Sequence, residues 1–306
     1  MRISVVVCTY NRCGSLRDTL QALKRQELPE GTSLEVLVVD NNSKDRTPQV
    51  VEQEAKDSRW PIRYLFEPRQ GQCHARNRGI REAAAEIVAF TDDDVIPEPN
   101  WAAALHEAFV RHGADVAGGR IAPLWLTTPP QQLLHPSLQH FCWGVWALLD
   151  RGPEDIVAKT PDRNFLYGGN LAFRKPILEE AGAFRTDLGV QGILPLRGDD
   201  TELLERLFTA GKKIVYTPKA TVRHKVPADR MRMAYIRRWR FFGGFSTMRL
   251  SAREARRTPP WFIRECAENA LKALRAYMRR DATAGIHSEL LFWEQLGRIA
   301  GALTAR

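Results

Sequence analysis

The sequence lacks several features that would assign it to a class at once. No apolar run reaches the roughly 18 residues that mark a bilayer-crossing helix, so no transmembrane segment is expected. Cysteine is scarce: Cys8, Cys13, Cys73, Cys142 and Cys266 make an odd count of 5 with no CxxC pair. That argues against a disulfide framework or a zinc site and for a reducing compartment. The first apolar run is followed by Thr9-Tyr10-Asn11-Arg12-Cys13-Gly14 rather than GxGxxG, and no GxxxxGK[ST] occurs. Neither the dinucleotide fingerprint nor the phosphate loop is therefore available. No Ser/His/Asp or Cys/His signature of a covalent nucleophile is found. Residues 1–7 run straight into a strand-like stretch and lack the long apolar segment and cleavage site of a secretory leader.

Acidic residues are also in deficit, 36 against 45 basic ones, for a net charge of +9. Much of the excess lies after residue 222, in Arg223, His224, Lys225, Arg230, Arg232, Arg237, Arg238, Arg240, Arg249, Arg253, Arg256 and Arg257. Such a basic end suits an anionic membrane surface, a phosphate-bearing substrate or nucleic acid. The 306 residues, 44% hydrophobic and 26% charged, suffice for an ordinary core in one large domain or two smaller ones.

What is present is a regular alternation. Residues 3–8 form a buried β-branched strand, Leu16, Leu20 and Leu23 recur at helical spacing, and residues 34–39 form a second strand ending in Asp40-Asn41-Asn42-Ser43. A helix over 47–56, a strand over 62–66, a helix from Gly71 to Ala85 and a strand over 87–90 complete β-α-β-α-β-α-β. That order implies a mostly parallel sheet with helices on both faces, whose ligands bind beyond the carboxyl ends of the strands. Thr9 to Arg12, Asp40 to Ser43 and Asp92-Asp93-Asp94 then share one rim. Three adjacent carboxylates repel one another and resist burial unless paired or on a metal. Such a triplet is either a metal–diphosphate site or a solvated acidic turn.

Further on, a helix over 101–110 and a strand around 114–121 are expected, then an irregular aromatic stretch over 122–165 that either binds an acceptor or covers the sheet. Gly168-Gly169-Asn170 precedes a short strand. Asp199 and Asp200 open a helix as caps or as a base. Strands over 212–216 and 220–225, the latter carrying His224, lead to helices over 231–242, 261–278 and 289–303, the first stopped by Gly243-Gly244. The last two are amphipathic and basic, suited to a membrane interface or to packing on their own domain.

Six stretches in this order resemble the family 2 glycosyltransferases, inverting enzymes of the glycosyltransferase A fold. They are Val5 to Arg12, Val38 to Asp45, Gly71 through Ala75-Arg76-Asn77-Arg78-Gly79, Phe90 to Asp94, Gly168 to Arg174 and Gly198 to Leu203. The resemblance covers about residues 2 to 225 and implies an α/β fold: a single nucleotide-binding glycosyltransferase A-type domain with a mostly parallel central sheet, plus a C-terminal helical extension. The corresponding bounds are 1–225 for the catalytic domain (1–120 nucleotide-sugar half, 121–225 acceptor half) and 226–306 for the extension. It implies that Thr9, Tyr10, Asn11, Arg12 and Asp40 hold base and ribose, that Asn42 supports their loop and that Arg76 lies near base or diphosphate. Gly169 and Asn170 join the nucleotide-sugar site, as does Asp93, with no contact of its own assigned. Asp94 is the main ligand of a divalent cation, Mg²⁺ or Mn²⁺; Asp92 touches ribose or metal, and His224 lies where many members have a histidine near the metal. Asp200 is the implied base, matching the second acid of the family's Glu-Asp pair. Asp199 stands where Glu is common, so either acid can face the acceptor.

The implied reaction moves a sugar, expected to be UDP-linked, to an acceptor hydroxyl in polysaccharide or glycolipid synthesis. The expected partners are the nucleotide-sugar donor, a saccharide or lipid-linked acceptor and an anionic membrane surface, on the cytoplasmic side and peripheral to the inner face of the membrane. Nucleic acid is not expected, because it leaves the rim acids without purpose. The alternatives are a nucleotidyltransferase, which calls for a glycine-rich phosphate loop not found here, and a non-catalytic nucleotide-sugar-binding relative.

Overall fold

Ile3, Val5, Val6 and Val7 are fully buried in succession, which only a strand covered on both faces allows. In the computed structural model, which describes residues 1–192, 194–250 and 260–304 (without the side chains of Arg249 and Pro260), they form β1 (Arg2–Thr9). Arg253, Arg256 and Arg257 lie outside the described residues. The expected alternation follows: α1 (Cys13–Lys24), β2 (Ser33–Asp40), α2 (Thr47–Lys56), β3 (Ile62–Phe66), α3 (Gln72–Glu82) and β4 (Ile87–Asp92). Leu16, Leu20 and Leu23, the apolar face of α1, are all at 0% exposure.

After β4 come β5 (Val95–Pro97), α4 (Trp101–Arg111), β6 (Val116–Trp125), α5 (Pro136–Val145), β7 (Ile156–Val157), β8 (Asn170–Arg174), α6 (Lys175–Glu180), α7 (Asp199–Thr209) and β9 (Ile214–Val226). The helices α8 (Met233–Leu250), α9 (Pro260–Met278) and α10 (Ala282–Thr304) end the chain. Strand order is β3-β2-β1-β4-β8-β6-β9-β5, with β7 on β9. The half β3-β2-β1-β4 is parallel. From β4 onward β8 pairs antiparallel, as do β6 with β8 and β5 with β9. The strand order reverses between β1 and β4, the place at which open α/β sheets form their ligand crevice.

The chain divides into two compact units. The first comprises residues 1–124, 147–192 and 199–225 and contains the sheet. The second comprises 125–146, 193–198 and 226–306. Residues 125–146 thus go with the C-terminal helices.

Three local expectations are corrected. Residues 122–165 are not irregular throughout. α5 forms there because Pro136 sets the first helical turn and the His135 side chain accepts from the Ser137 amide. Its buried face, Leu138, Phe141, Cys142 and Val145, belongs to the second unit, where α5 packs on α8 and α10. Residues 214–226 form one strand through Pro218, not two, with Thr221 Oγ1 donating to the Pro218 carbonyl at 2.7 Å. Gly243-Gly244 does not stop α8. A Cβ on Gly244 would lie 2.0 Å from the Glu294 carbonyl oxygen, and one on Gly297 would lie 1.9 Å from that of Phe241. These glycines let the backbones of α8 and α10 touch.

Candidate active site

Pairing register assembles the rim. Thr9 lies opposite Asp40 and Cys8 opposite Asp92, so the ends of β1, β2 and β4 are level. Because β8 is antiparallel, its first residue, Asn170, pairs with Thr91. That brings Gly168-Gly169 beside Asp92: a Cβ on Gly169 would sit 2.9 Å from Asp92 Oδ2. Likewise β9 sets His224 opposite Val95, next to Asp94.

The triplet is divided by its neighbours. Asp93 points inward at 5% exposure; its Oδ2 accepts from Thr9 Oγ1 at 2.7 Å and its Oδ1 from Arg12 Nη1 at 3.2 Å. Burial, and then the Asp94 charge, push its carboxyl upward. Arg12 Nη1 also donates to Asp94 Oδ2 at 2.9 Å. Asp94 Oδ1 faces His224 Nε2 at 3.4 Å. Asp92 turns the other way, with Oδ1 3.7 Å from Arg76 Nη2. Burial raises the Asp92 carboxyl and Arg76 restrains the rise.

Arg76 stands among these acids at 4% exposure and donates to Asp199 Oδ2. Burial works against its charge, but Asp199, Asp92 and Asp200 together hold its pKa above the ordinary arginine value. Room for the guanidinium exists because residue 168 is glycine: a Cβ there would lie 2.5 Å from Arg76 Nη2. Asp199, 6% exposed, is thereby committed to Arg76. Asp200 is held differently. Its Oδ2 accepts from the Gly168 amide at 2.9 Å and its Oδ1 from the Thr201 amide at 2.8 Å. Burial, and then the Asp199 charge, lift its carboxyl above the usual range. Cys8 lies close by, but burial pushes its thiol up to about 12, so it stays protonated and is no nucleophile at neutral pH.

Around the nucleotide rim, Asn11 and Asn42 adopt left-handed backbone (φ 53° and 69°), which asparagine tolerates better than most residues. Asn11 Oδ1 accepts from the Lys44 amide at 2.7 Å and Asn42 Oδ1 from Lys44 Nζ at 3.1 Å. Tyr10 is 42% exposed. Asp40, 1% exposed, accepts from the Ser43 amide at 2.9 Å and from the Tyr64 hydroxyl at 2.8 Å. Asn170, expected among the sugar-binding residues, is 0% exposed with its amide engaged internally. It accepts from Trp101 Nε1 at 2.8 Å and donates to the Arg120 and Ala220 carbonyls at 3.0 and 2.7 Å. Its side chain ties β8 to its neighbours and has no group turned toward the rim.

Sequence reasoning missed Asn41, Tyr64 and Gly168. Asn41 is the tie of the rim: it donates to the carbonyls of Glu67 and Arg69 and accepts from the Gly71 amide at 2.8 Å. Nothing in Asn41-Asn42 distinguishes the buried asparagine from the half-buried one. Gly168 was readable only as half of a glycine pair.

A divalent cation has a partial seat here. Asp94 and His224 offer one carboxylate oxygen and one imidazole nitrogen, a donor pair suited to Mn²⁺-like ions. Among the described residues no group of three or more His, Cys, Asp and Glu is arranged to hold an ion alone. The residues therefore fit a cation shared with a bound diphosphate rather than one caged by protein. Asp92 does not join them; it faces Arg76.

The model of the family described as Glycosyl transferase family 2 matches residues 4–182, more than half of the chain. The chain belongs to that family. As a family 2 member it is a glycosyltransferase. It is 27% identical over 250 residues to the glucosyl-dolichyl phosphate glucuronosyltransferase of Haloferax volcanii, covering 80% of this chain and 76% of that one. To the succinoglycan biosynthesis protein ExoM of Rhizobium meliloti it is 28% identical over 256 residues, covering 83% and 77%. Among solved structures it resembles the mannosyltransferase PcManGT of Pyrobaculum calidifontis in complex with GDP-Man and Mn²⁺. There the TM-score is 0.63 at 21% identity, covering 97% of this chain and 87% of that one. It also resembles Staphylococcus aureus TarS 1-349 with UDP, with a TM-score of 0.57 at 16% identity, covering 95% and 90%. The structural likenesses confirm the glycosyltransferase A-type α/β fold. Among the described residues no helix is long and apolar enough to cross a membrane.

Proposed function

We propose that this glycosyltransferase inverts the anomeric centre, moving a sugar from a nucleoside-diphosphate donor to an acceptor hydroxyl with Asp200 as base. The observation that carries the reading is the unequal treatment of the two acids: Arg76 binds Asp199, whereas Asp200 is held by two backbone amides. An acceptor hydroxyl is a poor nucleophile at neutral pH, and a carboxylate in reach that takes its proton contributes typically about 10²- to 10⁴-fold. A single displacement needs one base and no covalent nucleophile, in keeping with the protonated Cys8 thiol.

Thr9 and Arg12 fix the triplet, so that Asp94 and His224 point together at the place of the donor diphosphate. A divalent cation held by Asp94 and His224 would supply Lewis-acid stabilisation of the charge that grows on the leaving diphosphate. Arg76 adds a fixed positive charge beside Asp92, and Gly169 lets the sugar approach that carboxylate closely. Base and ribose lie along Tyr10, Asn11 and Asp40; Asp40 keeps lone pairs beyond those given to Ser43 and Tyr64. The acceptor is a saccharide or a lipid-linked saccharide at an anionic membrane surface.

Transfer by Asp200→Asn falls by at least about 10²-fold while nucleotide binding survives; near-wild-type turnover removes Asp200 from the role. Calorimetric titration with UDP and GDP, each with and without Mn²⁺, tests the cation seat. Asp94→Ala loses the metal-dependent part of binding, and an unchanged isotherm sinks the assignment. The parallel arms separate the expected uridine donor from a guanosine one.

A further inference from the structure

The helix α9 carries an apolar face that the described residues leave uncovered. Its inner side is accounted for: Phe262 (7% exposed) packs with Met248, Ala302 and Ile299, and Cys266 and Ala273 are buried in the same direction. Tyr277 donates its hydroxyl to Glu289 Oε2 at 2.7 Å, and Gln295 Nε2 donates to Glu265 Oε2 at 2.7 Å, fixing α9 on α10. The opposite side bears Ile263 at 59%, Leu271 at 46%, Leu274 at 56% and Met278 at 68% exposure. At 100° per residue these four, with Ala267 and Ala270, occupy an arc of about 100°. Single exposed apolar residues are ordinary, but a contiguous stripe of them marks an interaction surface.

Charge identifies what the stripe meets. Arg264 and Arg275 border it directly, and Lys272 and Arg279 follow on the same flank, all four exposed. Glu268 is the one acid on that flank, 3.5 Å from Arg264. A second copy laid antiparallel on this face would bring these cations against their own kind. A surface that is apolar inside and anionic outside complements both rows: the aliphatic side chains enter it, while the long arginine and lysine stems lie along it with their charges at the phosphate level. Since no described helix is able to span a bilayer, α9 has to lie in the plane of such a surface.

We infer that α9 docks this glycosyltransferase onto an anionic lipid bilayer, with Ile263, Leu271, Leu274 and Met278 inserted and Arg264, Lys272, Arg275 and Arg279 at the headgroups. The lipid-linked acceptor of the proposed function gives this docking a purpose, though the surface itself stands on the exposure and charge of α9.

Flotation of the purified full chain with vesicles tests it. The wild type floats with vesicles of phosphatidylcholine mixed with phosphatidylglycerol, stays behind with pure phosphatidylcholine, and is released by salt as its charges are screened. The double variant Ile263→Glu/Leu274→Glu loses flotation by about tenfold or more, and Arg264→Gln/Arg275→Gln weakens it and flattens its salt dependence. Both pairs are exposed, so circular dichroism and melting stay those of the wild type. Equal flotation on neutral vesicles, none on anionic ones, or unaltered flotation of both variants overturns the inference. So does a dimer in sedimentation velocity that the Glu variant converts to monomer, which assigns the face to a second copy. Titration of the same preparations with UDP or GDP and Mn²⁺ keeps the two readings apart, because α9 variants that bind nucleotide normally and no longer float bear on docking alone.

Discussion

Asp199 and Asp200 are neighbours of the same residue type with separate duties, because one meets a guanidinium and the other meets backbone amides. This has a consequence for pH. Asp200 acts as a base only when ionised, and burial beside Asp199 raises its pKa in the folded protein. The competent form is therefore complete above that raised value and is lost as pH falls through it. The acid limb of kcat/KM is expected above the roughly 3.9 of an unperturbed aspartate, and a limb at or below that value counts against Asp200. Most of the residues gathered at the candidate site were readable as rim positions, because Thr9, Asp40, Asp94 and Asp200 stand at the ends of recognisable elements. What escaped was partnership. Nothing local in Asp92-Asp93-Asp94 says that the middle acid turns inward to Thr9 and Arg12, that the first faces Arg76 and that the third lies against His224.

Among the elements, the parallel half of the sheet was legible because its strands are covered on both faces and so read as unbroken apolar runs separated by helical periods. The antiparallel half was less so, since β8 pairs with β4 and β9 with β5 from far along the chain. The glycines of α8 and α10 mislead in a more instructive way. Gly243-Gly244 reads as a helix break by propensity, yet α8 continues through it. Helix propensity predicts that Gly244→Ala stabilises by about 0.5–1 kcal/mol. Contact with the Glu294 carbonyl at 2.0 Å predicts the opposite, because backbone cannot move aside as a flexible side chain does. The expected result is a loss of about 1–3 kcal/mol in denaturant unfolding, and a gain would show that α8 and α10 have room to separate.

At the scale of the whole molecule the two units divide the proposed labour: the acids and the cation seat lie in the first, and α9 lies in the second. Two readouts should therefore cross without interference. Asp200→Asn retains the flotation of the wild type on anionic vesicles, and Ile263→Glu/Leu274→Glu retains its nucleotide titration. Loss of both properties in either variant would contradict that division.

The sequence by itself determined the alternation of strands and helices, the rim on which the acids lie and the family, because these depend on residue order, on apolar periodicity and on motifs a few residues long. Only the tertiary structure decided which acid is bound by Arg76, that Asn170 and Asn41 serve the scaffold, that residues 125–146 belong with the C-terminal helices and that one face of α9 stays bare. Each of these is a contact, or the lack of one, between segments tens to hundreds of residues apart. Spacing along the chain carries no information about which of two equivalent side chains will be met from across the fold.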